Sequence, residues 1–456
     1  MPVFPHRRSA TALAVVVLVL GALLTACRSG STRHANRSTS STSATSSALA
    51  LLTTSQGVEA VSLPSGNLRY RVAGGVIAAD GATVVATSGE QLVVRDARDG
   101  SVRRSIRVPA GLVVKALSGD ATMAALSAPD PAPATPTGYM PAGRTATTIV
   151  VVDLKSGSVT RHDLAGSLTP EAFSTDNRSV FVISYLPAQA PDRYVVSNLD
   201  LASGAVDGVF GREKEPPEEM QGIGRTHTLA PDRQALYTLY LRPPTATGAA
   251  ATTGPGTGPA AATTGPRTGP AAATTDATTV TAGPTTGDTR AEVHTLSLNG
   301  GWAHCIDLPE EFGNGDLSTA SIAVSPEGGR LYVVDGAAHR VAEIDTNGLT
   351  VTRTASIAPS TMAGRTTVTA GSRGSGRLFV GDGSGVQVLT YESLAPLSRW
   401  YTDSPVTALT TTASGGVVAT TLDKVYVFGA DGTARVTARP SGPSGDVVSI
   451  NQLLPG

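Results

Sequence analysis

The stretch of the chain that decides the fold is SPEGGRLYVVDGAAHRVAEIDTNGLTVTR, residues 325–353. A polar turn opens it, and three runs rich in aliphatic and β-branched residues follow, separated by polar residues. The Asn347-Gly348 pair between the last two runs is a strong β-hairpin signal. The stretch therefore predicts three consecutive antiparallel strands.

Both turns of this stretch recur along the chain. Degenerate copies of the first turn precede β-rich residues at 79–81, 119–120, 176–177, 231–232, 326–329, 373–374 and 414–416. Copies of the second turn fall at Ser65-Gly66, Asp99-Gly100, Ser156-Gly157, Ser203-Gly204, Asn299-Gly300, Asn347-Gly348, Glu392-Ser393 and Asp431-Gly432. Most intervals between the second-turn copies lie near the roughly 40–50 residues of one four-stranded repeat. The chain is therefore predicted to contain about eight similar units.

The quoted stretch resembles a YVTN-type, WD-like β-propeller repeat, which implies an all-β fold of four-stranded antiparallel blades. The first unit, about residues 49–72, has room for only three strands, and residues 446–454 read as one spare strand. A ring closed by that strand hides sheet edges that would otherwise pair with other chains. We therefore predict one propeller over residues 48–456, eight-bladed with seven blades as the alternative, whose C-terminal strand completes the first blade. Units one and three are expected to be the least regular.

The N-terminal residues have the pattern of a signal peptide for export. Residues 1–26 carry a short basic region followed by an apolar run, which is typical of a secretion signal. The run ends in Leu24-Thr25-Ala26-Cys27, which resembles the lipobox of bacterial lipoproteins. The resemblance implies cleavage before Cys27 and a diacylglyceryl lipid on its sulfur, which would hold the chain on the outer side of the cell membrane. An uncleaved signal anchor is the alternative, and it also places the rest of the chain outside the cytoplasm.

Two further segments are predicted to be disordered. Residues 27–47 are mostly Ser and Thr and cannot bury enough apolar surface to offset the entropy of ordering, so they predict a flexible tether. The low-complexity insert at about 243–290 repeats Thr, Gly, Pro and Ala, a composition typical of disordered tracts. Expansion by drift is favoured for this insert over a binding role.

The inserts point to one face of the propeller. Those at about 127–146, 186–193 and 243–290 all fall between the second and third strands of units three to five, and the 211–224 connection reaches the same face. Loops on a rigid scaffold carry binding more often than the scaffold does. The candidate ligand-binding residues are Glu218 and Glu219 in the 211–224 connection, with Arg225 and His227 at the start of the inner strand that follows. Drift without function is the alternative for these loops.

Composition and motifs exclude several classes of protein. The formal net charge of −1 argues against a nucleic-acid partner, and two cysteines exclude a disulfide-stapled scaffold. The sequence has no nucleophile elbow or phosphate loop in the required context, so no catalytic residue and no cofactor are predicted. His294, His304 and Cys305 lack a recognised metal spacing, so no metal site is predicted, and Cys305 is expected to be buried.

Two classes of function remain. The first is a non-enzymatic binding or scaffold module, monomeric and lipid-anchored, that takes an envelope protein, a peptide or a glycan on its loop-bearing face. The second is a propeller enzyme of lactonase or dehydrogenase-like type, since the fold alone does not decide the activity. An enzyme would need several titratable side chains with shifted pKa values to converge at the channel mouth.

Overall fold

The computed structural model describes residues 48–454, apart from residues 64, 133–139, 243–289, 315–318, 360–364, 372 and 439–446. In the described residues, thirty-three strands form eight antiparallel sheets that follow one another as the blades of a ring. A short 3-10 helix spans Arg373–Ser375. The predicted all-β, eight-bladed propeller is confirmed, and the seven-bladed alternative is excluded.

We number the blades in chain order and call the strands of each blade a to d, from the central channel outward. Blade 1 contains β33 (Val447–Leu454), β1 (Leu49–Thr54), β2 (Gly57–Ser62) and β3 (Leu68–Ala73). Blade 2 contains β4 (Val76–Ile77), β5 (Thr83–Ser88), β6 (Gln91–Asp96) and β7 (Val102–Arg107). Blade 3 contains β8 (Val113–Leu117), β9 (Met123–Ser127), β10 (Ala146–Asp153) and β11 (Val159–Ala165). Blade 4 contains β12 (Ser167–Phe173), β13 (Ser179–Leu186), β14 (Arg193–Asp200) and β15 (Val206–Gly208).

The second half of the ring repeats this arrangement, and blade 5 gains a short parallel fifth strand at its outer edge. Blade 5 contains β17 (Ile223–Leu229), β18 (Ala235–Leu241), β19 (Ala291–Ser297), β20 (Trp302–Asp307) and the edge strand β16 (Phe210–Gly211). Blade 6 contains β21 (Ala320–Val324), β22 (Arg330–Asp335), β23 (Arg340–Asp345) and β24 (Thr350–Ser356). Blade 7 contains β25 (Thr367–Ala370), β26 (Arg377–Asp382), β27 (Gly385–Thr390) and β28 (Pro396–Tyr401). Blade 8 contains β29 (Ala408–Thr411), β30 (Val417–Thr420), β31 (Lys424–Phe428) and β32 (Ala434–Ala438).

The last strand closes the ring on the first blade. β33 pairs antiparallel with β1, so that Ala50 lies opposite Leu453 and Thr53 lies opposite Ser449. The N-terminal segment supplies strands b, c and d of blade 1, and the C-terminal strand becomes its innermost strand. The predicted closure is therefore confirmed, and it pairs the edge that β1 would otherwise expose.

The repeated second turn is the c–d turn of each blade, and it needs one residue in the left-handed region of backbone space. In blades 1 to 4 and blade 8 that residue is the predicted glycine: Gly66, Gly100, Gly157, Gly204 and Gly432. In blades 5 to 7 it falls one residue later than the predicted pair, at Gly301, Leu349 and Leu394. The Asn347-Gly348 turn is thus a longer turn than a two-residue hairpin, closed by a bond from the Leu349 amide to the Asp345 carbonyl at 2.8 Å.

The core consists of side chains packed between neighbouring blades. Alternate residues of a strand face opposite neighbours, so each blade contributes to two interfaces. Contrary to expectation, blades 2 and 4 are the least regular, because β4 has only two residues and β15 only three. Blades 1 and 3, which were expected to be the weakest, contain only strands of at least five residues.

Several predictions concern residues beyond those described. The signal segment 1–26, Cys27, the tether 27–47 and the 243–290 insert apart from Arg290 lie outside the described residues. Export, lipidation and disorder of these segments stay predictions. In the part of the chain that is described, none of the helices has the length and apolar character needed to span a membrane.

Candidate functional site

The three inserts do fall where the sequence predicted. They join strands b and c of blades 3, 4 and 5, and the strand ends that they connect lie on the face that also carries the d–a connections. Residues 243–289 of the third insert lie outside the described residues. On this face a cavity of about 490 Å³ opens between blades 3, 4 and 5. We call it the loop-side cavity, and the 127–146 insert contributes Asp130, Pro131, Met140 and Pro141 to its wall.

The inner strands supply most of the polar groups of the loop-side cavity. Lys115 comes from β8, Glu171 from β12 and His227 from β17. The side chains of Thr169, Thr226 and Thr238 add hydroxyl groups. The cavity therefore offers an acid, an amine, an imidazole and several hydroxyls within one concave surface, a typical character for a ligand site.

Asp130 ties the first insert to the inner strands. Its carboxylate accepts a hydrogen bond from Lys115 Nζ at 2.6 Å and from Thr169 Oγ1 at 2.8 Å. Arg144, at the other end of the insert, donates to Asp130 Oδ1 at 3.2 Å. The Lys115 side chain is only 14% exposed, which limits solvent screening of this contact. The loop wall of the cavity is thus held by charge-assisted bonds to two different blades.

Glu171 is the most perturbed acid of the cavity. Thr238 Oγ1 of the next blade donates to its Oε1 at 3.4 Å, while Oε2 is buried and makes no hydrogen bond of good geometry within the described residues. Burial raises the pKa of Glu171 to about 7, although hydrogen bonds from Thr238 and Tyr240 oppose this shift. Near neutral pH the carboxyl group is therefore poised between its charged and neutral forms.

A row of tyrosines forms the apolar wall between blades 4 and 5. The ring centroids of Tyr185 and Tyr194 are 6.2 Å apart, and those of Tyr194 and Tyr240 are 5.3 Å apart. Burial raises the pKa of all three phenols, so they remain neutral hydroxyl groups. The three rings therefore give this cavity an apolar wall that ends in hydroxyl groups.

The structure separates the four residues that the sequence nominated. His227 lines the loop-side cavity from the middle of β17, and its side chain is exposed to solvent through the cavity opening. Protein atoms nevertheless surround the imidazole closely enough that desolvation lowers the pKa of His227. The backbone of Arg225 sits at an irregularity of the β17–β18 pairing, and its side chain lies outside the described part of the structure. Glu219 pairs with Arg193 at 2.9 Å, and Glu218 is exposed; neither lines the cavity. Their role in ligand binding stays a prediction.

Sequence reasoning missed Lys115, Asp130, Glu171 and the tyrosine row. A usable signal did exist, because Glu171 is the only acid in the β12 strand SLTPEAF, next to a position that packs in the core. An acid inside an otherwise apolar or hydroxyl-bearing inner strand indicates either a buried ion pair or a functional group.

A second cavity, of about 560 Å³, opens on the opposite face between blades 5 and 6. Some of its polar groups belong to turns and bond within or between them, whereas Thr295 and Ser297 line it from strand β19. Asp232 Oδ1 accepts from the Gln234 amide at 3.0 Å, and Asn299 Nδ2 donates to Gln234 Oε1 at 2.6 Å. Asp232, Gln234 and Asn299 thus hold the turns, whereas the loop-side cavity combines an acid, an amine and an imidazole, so the loop-side cavity is the better candidate site.

Comparisons with known proteins concern the fold alone. No protein-family model matches the chain, and no curated protein matches it. Among solved structures, dihydro-heme d1 dehydrogenase NirN in complex with DHE is 14% identical with a TM-score of 0.41, over 82% of this chain and 63% of that one. TolB from Acinetobacter baumannii is 12% identical with a TM-score of 0.34, over 69% of this chain and 64% of that one. The β-propeller domain of Cps50 (Swd1) from Myceliophteria thermophila is 10% identical with a TM-score of 0.36, over 82% of this chain and 87% of that one.

Proposed function

We propose that this chain is a binding or scaffold module whose ligand occupies the loop-side cavity. The observation that carries the proposal is the convergence of the blade 3 insert and the inner strands of blades 3, 4 and 5 on one polar, tyrosine-walled cavity. Loop residues that serve only to connect strands need no such anchoring, whereas Asp130 bonds to blades 3 and 4 at once. A fixed wall reduces the entropy lost on binding.

The cavity chemistry fits a short peptide or glycan segment. Threonine hydroxyls and the Glu171 carboxyl can exchange hydrogen bonds with the hydroxyl or amide groups of such a ligand. Tyr185 and the prolines Pro131 and Pro141 provide apolar surface for its carbon skeleton. A volume of about 490 Å³ suits a few sugar or amino-acid units, and a longer partner would extend over the surrounding loops.

We further propose, from the sequence, where this cavity is used. The segment 1–26 would direct export, and a lipid on Cys27 would hold the propeller at the outer side of the membrane through the 27–47 tether. The ligand would then be an envelope protein, peptide or glycan. Metabolic labelling with a fatty-acid analogue tests this placement: label should enter the wild-type chain and be absent from Cys27→Ser.

An enzyme of lactonase or dehydrogenase-like type is the second candidate, and one observation favours it. Glu171, with a pKa raised to about 7, and His227 share the same cavity, as a general acid and base would. The hydrogen bonds of Glu171 in the described residues run to Thr238 and Tyr240, and none joins it to His227. The binding function is therefore the stronger proposal.

The experiment is an equilibrium-dialysis measurement with soluble glycopeptide fragments from digested cell wall, identified by mass spectrometry. We expect the wild-type chain to retain one class of fragment unchanged, and Asp130→Asn to bind it about tenfold more weakly, since a charge-assisted contact is lost. Asp232→Asn, on the opposite face, is the matched control and should bind normally. Equal loss in both variants would overturn the assignment of the cavity, and chemical conversion of the fragments would favour the enzyme.

A further inference from the structure

A second group of reactive side chains lies on the same side of blade 5, nearer its outer edge. Cys305 in β20 lies directly opposite His294 in β19, so both side chains point toward blade 4. Directly opposed residues of antiparallel strands have Cβ atoms about 4.5–5.5 Å apart. Met220, in the connection before β17, brings its sulfur to 3.6 Å from the Cys305 sulfur. A thiol and a thioether are therefore in contact, and an imidazole lies on the strand position directly opposite the thiol.

The thioether is held in place by the backbone. Met220 is 1% exposed, and its amide and carbonyl exchange hydrogen bonds of 2.8 and 2.9 Å with those of Tyr194 in strand c of blade 4. This bridge ties the connection to the adjacent blade and fixes the Met220 side chain against Cys305.

The imidazole of His294 has a nitrogen atom that makes no hydrogen bond in the described residues and could coordinate a metal ion. It is 1% exposed, and its Nδ1 is buried with no hydrogen-bond partner in the described residues. The ring stands edge-on to Tyr240 at a centroid distance of 6.0 Å, which limits its rotation. Burial lowers the pKa of His294 to about 4, so the imidazole is neutral at physiological pH, the form that binds metal ions. A buried polar atom without a partner is costly, and a bound ion would satisfy it.

We propose that Cys305, Met220 and His294 form a binding site for a single soft monovalent cation, Cu(I). Thiolate and thioether sulfur are soft ligands that select Cu(I), whereas zinc sites use Cys, His and carboxylates. Within the described residues, no group of three or more His, Cys, Asp and Glu side chains is placed to hold a metal. Three metal-binding side chains are present only when Met220 is counted together with Cys305 and His294. Because a thioether is a ligand for Cu(I) and not for zinc, this set favours copper over zinc.

Binding exchanges a proton for the ion without any change of oxidation state. The thiol proton of Cys305 leaves to solvent as the Cu–S bond forms, and His294 and Met220 donate lone pairs. Burial and the nearby carboxylates of Glu292 and Glu218 raise the pKa of Cys305, so protons compete with the ion.

The test is an anaerobic competition for Cu(I) against the chromophoric chelator bicinchoninate. The protein is the full chain carrying Cys27→Ser, so that Cys305 is its only thiol. We expect it to withhold one equivalent of Cu(I), and Cys305→Ser, Met220→Leu and His294→Gln to weaken binding about tenfold or more each. Zn(II), measured by competition against a zinc-responsive chromophoric chelator, should bind far more weakly.

Matched controls come from blade 3. His162→Gln removes another buried histidine with an unpartnered nitrogen, and Met123→Leu makes the same methionine replacement at a half-buried position; both variants should bind Cu(I) normally. Failure of the Cys27→Ser chain to withhold any Cu(I) overturns the proposal without reference to the variants. It is also overturned if Met220→Leu and His294→Gln bind as tightly as their parent, which would leave a lone thiol. The proposal does not depend on the ligand of the loop-side cavity.

Discussion

Blade 5 presents two different surfaces to its two neighbours. Toward blade 6 it presents aliphatic and aromatic side chains, among them Leu239, Val293 and Ile306, which pack into a continuous apolar cluster. Toward blade 4 the same strands present Thr238, Tyr240, Glu292, His294 and Cys305. Both surfaces are buried, so exposure to bulk solvent does not explain the difference.

The alternation along single strands shows how one sheet serves two purposes. In a strand covered on both faces, a nearly continuous run of apolar residues is expected. In β19, AEVHTLS, acidic and imidazole side chains instead alternate with Ala291 and Val293. Each buried polar group costs stability unless it is paired. We infer that the blade 6 side of blade 5 maintains the fold and the blade 4 side carries function.

Other blades contain buried glutamates that are neutralised within the sheet. Glu59 in blade 1 lies opposite Arg71 in register, and the Glu343 carboxylate of blade 6 contacts Arg353 at 2.8 Å. In blade 5 the residue opposite Glu292 is Asp307 instead.

The counter-ion of Glu292 is Arg242, at the end of strand b, where it is about one-third exposed. Burial raises the pKa of Glu292 to about 7, with Glu218 and Asp307 adding to the shift and Arg242 opposing it. Only in blade 5 of these three blades does the buried acid face another acid across the sheet.

The largest effect should come from the blade 6 side. Leu239→Ala removes a fully buried side chain from the apolar cluster and should lower the free energy of unfolding by about 2–5 kcal/mol. Urea denaturation followed by circular dichroism measures this loss. A loss below about 1 kcal/mol would contradict the assignment of this side to stability.

A smaller, pH-dependent effect is expected at Glu292. Its pKa is raised in the folded state, so the folded state binds more protons than the unfolded state between about pH 4.5 and 7, and stability falls as the pH rises through this range. Glutamine carries no titrating carboxyl group, so Glu292→Gln should not lose this stability. The free energy of unfolding of Glu292→Gln minus that of wild type should therefore be larger at pH 8 than at pH 4.5, by on the order of 2 kcal/mol.

Denaturation of both chains at the two pH values checks the prediction. Their difference isolates the effect of Glu292 from that of His227 and His294, whose lowered pKa values change the stability with the opposite sign. A difference that does not vary with pH would show that Glu292 is charged throughout.

The smallest effect on stability is expected one residue away from the largest. Thr238→Val keeps the shape of the side chain and removes only a 3.4 Å hydrogen bond to Glu171, so the free energy of unfolding should change by less than about 1 kcal/mol. The pKa of Glu171 should rise further, because a bond that stabilises its charged form is lost. Carbon-13 NMR titration of the Glu171 carboxyl measures this, and an unchanged pKa would contradict the contact.

The repeat and its closure could be predicted because their signals are local. Turn glycines with positive φ, strand-length apolar runs and a spare C-terminal strand are all visible in short stretches of sequence. The face bearing the inserts followed from strand order alone. The regularity of the blades could not be predicted, because the length of β4 or β15 depends on pairing with a neighbour.

The site itself depends on contacts between residues that are distant in sequence. Glu171 and Thr238 are 67 residues apart, Asp130 and Thr169 are 39 apart, and Cys305 and Met220 are 85 apart. Of the four residues nominated from the sequence pattern, His227 lines the cavity. Glu218, Glu219 and Arg225 are not among the described residues that line it. A polar residue in an inner or doubly covered strand is the signal that would have found Glu171 and Glu292.

The most direct test of the account measures binding and stability together in Glu171→Gln and Leu239→Ala, with the cell-wall fragments as ligand and both proteins below their unfolding transitions. We predict that Glu171→Gln loses about tenfold or more in affinity with undiminished stability, and that Leu239→Ala loses stability and keeps its affinity. The account is contradicted if Glu171→Gln binds like wild type, or if the folded Leu239→Ala chain loses as much affinity as Glu171→Gln.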